Sequence, residues 1–145
     1  MTGRPAARVR AVVLNYNGGA FVVRCLEHLL RTEWPADRLD LVVVDNASTD
    51  GSDAVIAERF PEVTLIQTGA NLGFSGGNNA ALRDLRDVDF VALVNNDAFV
   101  DPGWLAPLVD ALEADPGLGA ACPKILFAPR FREIVIESPT FDPPG

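Results

Sequence analysis

The segment Val91-Ala92-Leu93-Val94-Asn95-Asn96-Asp97 constrains this chain more than any other. A short run of uniformly apolar residues stops abruptly at two carboxamides and a carboxylate. Apolarity without period-2 alternation suits a strand buried on both faces of a parallel sheet. Open α/β folds place their ligands at the carboxyl ends of such strands. A polar turn leaving a strand explains Asn95-Asn96-Asp97 equally well when the segment stands alone. The other strand ends decide between the two.

Three further apolar runs precede it, over residues 9–14, 41–44 and 63–66. The first stops at Asn15-Tyr16-Asn17-Gly18-Gly19 and the second at Asp45-Asn46. The third runs into a glycine-rich loop over 68–79. Helical spacing of apolar residues predicts helices over roughly 20–33, from about 52 to 60, and through Ala80, Ala81, Leu82 and Leu85. In the second helix Val55, Ile56 and Phe60 are the expected inner residues. Asp101-Pro102 predicts the start of a fourth helix, with Leu105, Leu108, Val109 and Leu112 inside. Ile125-Leu126-Phe127 is expected to form a fifth strand, and Ile134-Val135-Ile136 is a candidate for one more. This β-α alternation implies a mainly parallel sheet with right-handed crossovers and helices on both faces. Residues 1–8 form a lead-in, 9–127 the α/β domain, and 128–145 the beginning of a further region.

In a parallel sheet the four strand ends share one rim, so the polar residues at 15, 45, 69 onward and 95–97 converge. Turn chemistry accounts for any one of them, but less well for four in register. The rim is therefore a candidate ligand site. A carboxylate flanked by carboxamides offers hard oxygen ligands, which suit Mg²⁺ or Mn²⁺ better than zinc. One carboxylate does not close a cation site, but Mg²⁺ is commonly held by one or two carboxylates plus substrate phosphates. Asp45 is placed to accept hydrogen bonds from a base or ribose hydroxyl. The glycines at 73, 76 and 77 allow close backbone approach. The loop matches neither G-x-G-x-x-G nor Walker A.

Composition narrows the partners. Twenty acidic against 12 basic residues in 145 give a net charge of −8. A nucleic-acid polymer is a poor fit, because phosphate backbones are bound by Lys/Arg excess. A small phosphorylated ligand is compatible if a cation offsets the repulsion. Cys25 and Cys122 build no disulfide framework, and their apolar contexts predict two buried free thiols in a reducing compartment. His28 has no second His or Cys at ligand spacing and reads as a surface histidine. No apolar run approaches the ~20 residues of a membrane span. A cytoplasmic location is expected, with peripheral attachment at the inner membrane face left open.

Four motifs in order carry a family resemblance: Val12-Val13-Leu14-Asn15-Tyr16-Asn17-Gly18, Val43-Val44-Asp45-Asn46-Ala47-Ser48-Thr49-Asp50-Gly51-Ser52, Asn71-Leu72-Gly73-Phe74-Ser75-Gly76-Gly77-Asn78 and Leu93-Val94-Asn95-Asn96-Asp97. Together they resemble the bacterial rhamnosyltransferase-like branch of the family 2 glycosyltransferases. The resemblance implies a GT-A (Rossmann-like) fold and inverting sugar transfer from a nucleoside-diphosphate sugar to an acceptor hydroxyl, as in polysaccharide synthesis. It implies that Asn15, Tyr16 and Asn17 border the nucleotide, that Asp45 and Asn46 contact base or ribose, and that Asn71, Gly73, Gly77 and Asn78 close over it. Asn95, Asn96 and Asp97 take the place of the D-x-D motif, with Asp97 as the retained acid for Mg²⁺ or Mn²⁺. Asn95 stands where the family has its first acid, so metal affinity without donor should be low. Family analogy favours a dTDP- or UDP-sugar donor and a saccharide or lipid-linked acceptor.

The family's general base lies well beyond the metal motif, and none of Glu133, Glu137 and Asp142 sits in a recognisable base context. The chain is expected to stop about where the acceptor half begins, exposing apolar surface that would favour self-association. A truncated, non-catalytic nucleotide-sugar-binding module is the alternative reading. A receiver-like signalling domain would need an acidic pair after its first strand, where Asn15-Tyr16-Asn17 stands instead. A nucleotidyltransferase would need a basic glycine loop there.

Overall fold

The computed structural model describes residues 6–126. Glu133, Glu137, Asp142 and the run at 134–136 lie outside the described residues. Four parallel strands form one sheet: β1 (Val9–Asn15), β2 (Leu39–Asp45), β3 (Thr64–Gln67) and β4 (Phe90–Asn95). Their spatial order is β3-β2-β1-β4. The sheet therefore grows outward from β1 to β3, then crosses back to place β4 on the other side of β1. That reversal makes a crevice between the carboxyl ends of β1 and β4, the switch point where open α/β sheets bind ligands.

Helices follow from the crossovers. α1 (Gly19–Leu29) and α2 (Ser52–Arg59) cover one face, where Val22, Cys25, Leu26, Leu29 and Ile56 pack on Ala11, Val13, Leu41 and Val43. Crossing back to β4 puts α3 (Gly73–Ala81) on the opposite face, where Ala81 meets Val12, Val42 and Val44. α4 (Leu105–Ala114) seats Leu105 and Val109 against Val9 and Ala7. A single 3-10 turn, Ala36–Arg38, leads into β2. Helices on both faces of a parallel sheet are the expected architecture.

Several local expectations are corrected. β4 is not buried on both faces: Phe90, Ala92 and Val94 pack inward, whereas Val91 is exposed and Leu93 is 52% exposed. Among the described residues β4 is an edge strand, and α3 lies over β1 and β2 instead. The glycine-rich stretch is mostly helix. After a left-handed Gly73 (φ 70°), Ser75-Gly76-Gly77-Asn78 all lie within α3. A Cβ on Gly77 would collide with Leu14 Cδ1, so the missing side chain lets α3 sit close on β1. Glycine inside a helix costs about 1 kcal/mol relative to alanine, which here the close packing offsets.

Asp101-Pro102 forms a turn, with Gly103 N donating to Asp101 Oδ1 (3.0 Å), and α4 starts only at Leu105. Val55 and Leu85 are exposed, because Ser52, Ile56 and Phe60 at four-residue spacing form the inner side of α2 and Leu85 follows the end of α3. Ile125 and Leu126 are exposed and form no strand among the described residues, and Phe127 lies outside them. Cys25 is buried but Cys122 is exposed beyond α4. His28 is half-buried and bonded, not a plain surface side chain.

Candidate functional site

The ends of β1 and β2 are joined by side chains. Asn15, 0% exposed, donates Nδ2 to Asp45 Oδ1 at 2.8 Å and also reaches Ser52 Oγ (2.8 Å) and Ser48 Oγ (3.1 Å). Asp45, 3% exposed, takes a second hydrogen bond at Oδ2 from Ser48 N (3.0 Å). A buried carboxylate is tolerable only when hydrogen-bonded, and both its oxygens are. The loops beyond the two strands are stitched in the same way. Asn17, in a left-handed conformation (φ 53°), receives Thr49 N at its Oδ1 (2.8 Å) and donates its own amide to Ser48 Oγ (3.0 Å). Ala47 is also left-handed (φ 65°), which is unusual away from glycine. Asp50 caps the junction: the Ser52 hydroxyl, then the amides of Ser52 and Gly19, hold its carboxyl below the usual range.

Asn46 ties β2 to the start of α3. Its Nδ2 donates to Asn71 Oδ1 (2.8 Å) and Gly73 O (3.2 Å), while its Oδ1 accepts Leu72 N (2.9 Å). Asn78 is buried, with Nδ2 on Phe74 O (2.9 Å). At the end of β4, Ala98 N bonds Asn95 O (3.0 Å) and closes a β-turn with Asn96 and Asp97 at its corners. Asn95 and Asp97 are exposed there. Gly18 leaves room for this turn: a Cβ on it would meet Asn15 Oδ1 and stand 2.8 Å from Asn96 Nδ2.

A cleft of about 290 Å³ opens beside that turn, at the β1/β4 switch point. Its polar lining is Asn78, Asn95, Asn96 and Asp97, and its apolar lining is Leu14, Phe74, Leu93 and Val94. Thus four of the residues singled out in the sequence line one cavity. Tyr16, Asn17 and Asn71 are exposed and do not line it, and Asn15, Asp45, Asn46 and Gly77 are buried outside its lining. Leu14 and Leu93 carry no polar ligand signal in the sequence, although Leu14 immediately precedes the polar end of β1, and Phe74 lies within the 71–78 motif.

The profile of glycosyl transferase family 2 matches residues 11–135. The chain belongs to that family. Among curated proteins it is 34% identical over 125 residues to the N-acetylglucosaminyl-diphospho-decaprenol L-rhamnosyltransferase of Mycobacterium tuberculosis, covering 79% of this chain and 40% of the relative. It is 29% identical over 122 residues to the beta-monoglucosyldiacylglycerol synthase of Synechocystis, covering 80% of this chain and 25% of the relative. Among solved structures, the mannosyltransferase PcManGT of Pyrobaculum calidifontis, in complex with GDP-Man and Mn²⁺, superposes with a TM-score of 0.71 at 34% identity. That match covers 81% of this chain and 35% of the mannosyltransferase. S. aureus TarS in complex with UDP, at 21% identity and a TM-score of 0.66, supports the fold alone. The matches thus span 40% or less of the length of these relatives.

The donor set can be tested for a cation on its own chemistry. Among the described residues no three His, Cys, Asp or Glu side chains cluster as a metal site. Asp97 is nevertheless exposed at the cleft with two carboxamides beside it, which fits a hard cation whose other ligands are phosphate oxygens. No helix among the described residues is long and apolar enough to cross a membrane.

Proposed function

We propose that this chain is the donor-binding part of an inverting glycosyltransferase that takes a nucleoside-diphosphate sugar. One observation carries the reading: Asp97, flanked by Asn95 and Asn96, sits on a cleft at the β1/β4 switch point of a family 2 fold. The nucleotide lies along the rim past Tyr16, Asn17 and Asn71, with its diphosphate toward Asn95-Asn96-Asp97. Asp45 and Asn46, buried and bonded to neighbouring segments, frame the base and ribose end together with Asn15. Gly73, Gly77 and Asn78 shape the floor on the α3 side. Asp97 would hold Mg²⁺ or Mn²⁺, which when bound supplies positive charge against the leaving diphosphate. The donor is a dTDP- or UDP-sugar and the acceptor a saccharide or lipid-linked hydroxyl.

Among the described residues lining the cleft, Asp97 is the one titratable group. A carboxylate engaged with a cation is not free to take the acceptor's proton. The described part therefore supports donor binding without a base, which keeps the non-catalytic binding module as the second reading. Calorimetric titration with dTDP, UDP and GDP, each with and without Mn²⁺, tests the proposal. Metal-dependent binding of one nucleotide is expected. Absence of binding by a chain that melts cooperatively would overturn it. Glycosyl transfer by this chain to a supplied acceptor would overturn the base-free reading.

A further inference from the structure

We propose that α1 is a clamp that positions Asp97, with Arg24, Cys25 and His28 as positioning residues that touch no ligand. The inference rests on the donor-site reading above.

The turn carrying Asp97 has one internal backbone hydrogen bond, from Ala98 N to Asn95 O, and follows a strand that, among the described residues, lies at the edge of the sheet. Such a segment is mobile unless something outside it fixes both ends. α1 does so from one side. Before the acid, Cys25 Sγ donates to the same Asn95 carbonyl at 3.4 Å. After the acid, His28 Nδ1 meets Val100 O at 3.0 Å. A carbonyl oxygen only accepts, so this contact requires the proton on Nδ1. Arg24 and His28 are four residues apart and share one helix face. Both contact Phe99, two residues past Asp97: the Arg24 guanidinium lies 4.5 Å from the ring centroid, and the His28 ring lies 5.4 Å from it. The seam continues to the end of the helix and beyond, with Glu33 N on Pro102 O (2.8 Å) and Trp104 Nε1 on Thr32 Oγ1 (3.0 Å).

Cys25 belongs to the buried core and would be retained for packing alone. Arg24 is exposed and belongs to no core cluster, yet its guanidinium lies over the Phe99 ring. Its placement is explained by what it restrains. Holding a ligand side chain in one geometry before the cation arrives raises affinity by removing an ordering cost. That gain belongs to the metal-dependent part of nucleotide binding alone.

The test is titration of nucleotide with and without Mn²⁺ into the wild type, His28→Leu, Arg24→Met and His28→Asn. The side-chain amide introduced by the last substitution would replace the Nδ1 donor. His28→Leu and Arg24→Met are expected to weaken Mn²⁺-dependent binding about fivefold, or about 1 kcal/mol at 1.4 kcal/mol per tenfold, with metal-free binding unchanged. His28→Asn should recover most of the His28→Leu loss. Equal losses with and without metal, or none in variants that melt cooperatively, would overturn the clamp. If the wild type binds no nucleotide, the donor-site reading fails and amide exchange at Ala98 decides the clamp separately. Exchange faster in His28→Leu and restored in His28→Asn supports it; unchanged exchange overturns it.

Discussion

The amide of Asn15 and the carboxylate of Asp45, at matching positions on neighbouring parallel strands, are joined by a 2.8 Å hydrogen bond inside the protein. The contact crosses the sheet and locks the register of β1 and β2 at their ligand-facing ends. Ser48 and Ser52 complete the network, so the position of Asp45 is set before any ligand arrives.

Asn15→Ala leaves the buried Asp45 carboxylate one donor short, and a lost hydrogen bond to a charged group costs about 1.5–3 kcal/mol. Urea unfolding should show a loss of that size. Asn15→Asp should be worse and pH-dependent. Two adjacent buried carboxylates cannot both ionise, so the folded state holds a proton that the unfolded state releases. Its stability deficit should therefore be larger at pH 8 than at pH 4.

Burial, with a contribution from Asp97, pushes the Cys25 thiol from its ordinary 9.0 up to about 12. Its native form keeps a proton that the unfolded chain loses above pH 9, so the unfolded state gains as pH rises. This contribution is intact below pH 9 and declines by up to about 1.4 kcal/mol per pH unit toward pH 12. Urea unfolding of the wild type and Cys25→Val at pH 8 to 11 should give curves that diverge above pH 9. A thiol reagent should label Cys122 rapidly in the native state and Cys25 only on unfolding.

Gly77→Ala drives a methyl group into Leu14, which lines the cleft. Leu14 has a flexible end and can yield, but toward the space a ligand needs. Overpacking of this kind costs about 1–3 kcal/mol. Nucleotide affinity should fall together with the melting temperature, and the comparable surface change Gly119→Ala should alter neither.

The central strands were legible because β1 and β2 are apolar on both faces, a pattern that few other structures satisfy. β4 shares the pattern, yet among the described residues one of its faces is uncovered, since strand composition does not reveal whether a neighbour is present. The stretch 71–78 misled because glycine reads locally as a turn. Its actual use, letting α3 approach Leu14, is a contact across 63 positions of sequence. The rim was legible from its carboxamides, but Asn15 and Asn46 face neighbouring chain segments. No local pattern separates an amide that braces a strand from one that meets a ligand. His28 looked incidental because its partners, Phe99 and Val100, lie beyond β4.

The assignment of the β1/β4 crevice as the donor site is tested most directly by paramagnetic broadening. Backbone amide spectra would be recorded with nucleotide present as Mn²⁺ is added in substoichiometric steps, for the wild type and Asp97→Ala. Broadening should start at Asn96, Asp97 and Ala98, spread to the cleft-lining Phe74 and Asn78, and vanish in Asp97→Ala with the fold intact. Broadening centred instead on the acids at the opposite end of the strands, around Asp37, Asp40 and Asp84, or unchanged in Asp97→Ala, would contradict it.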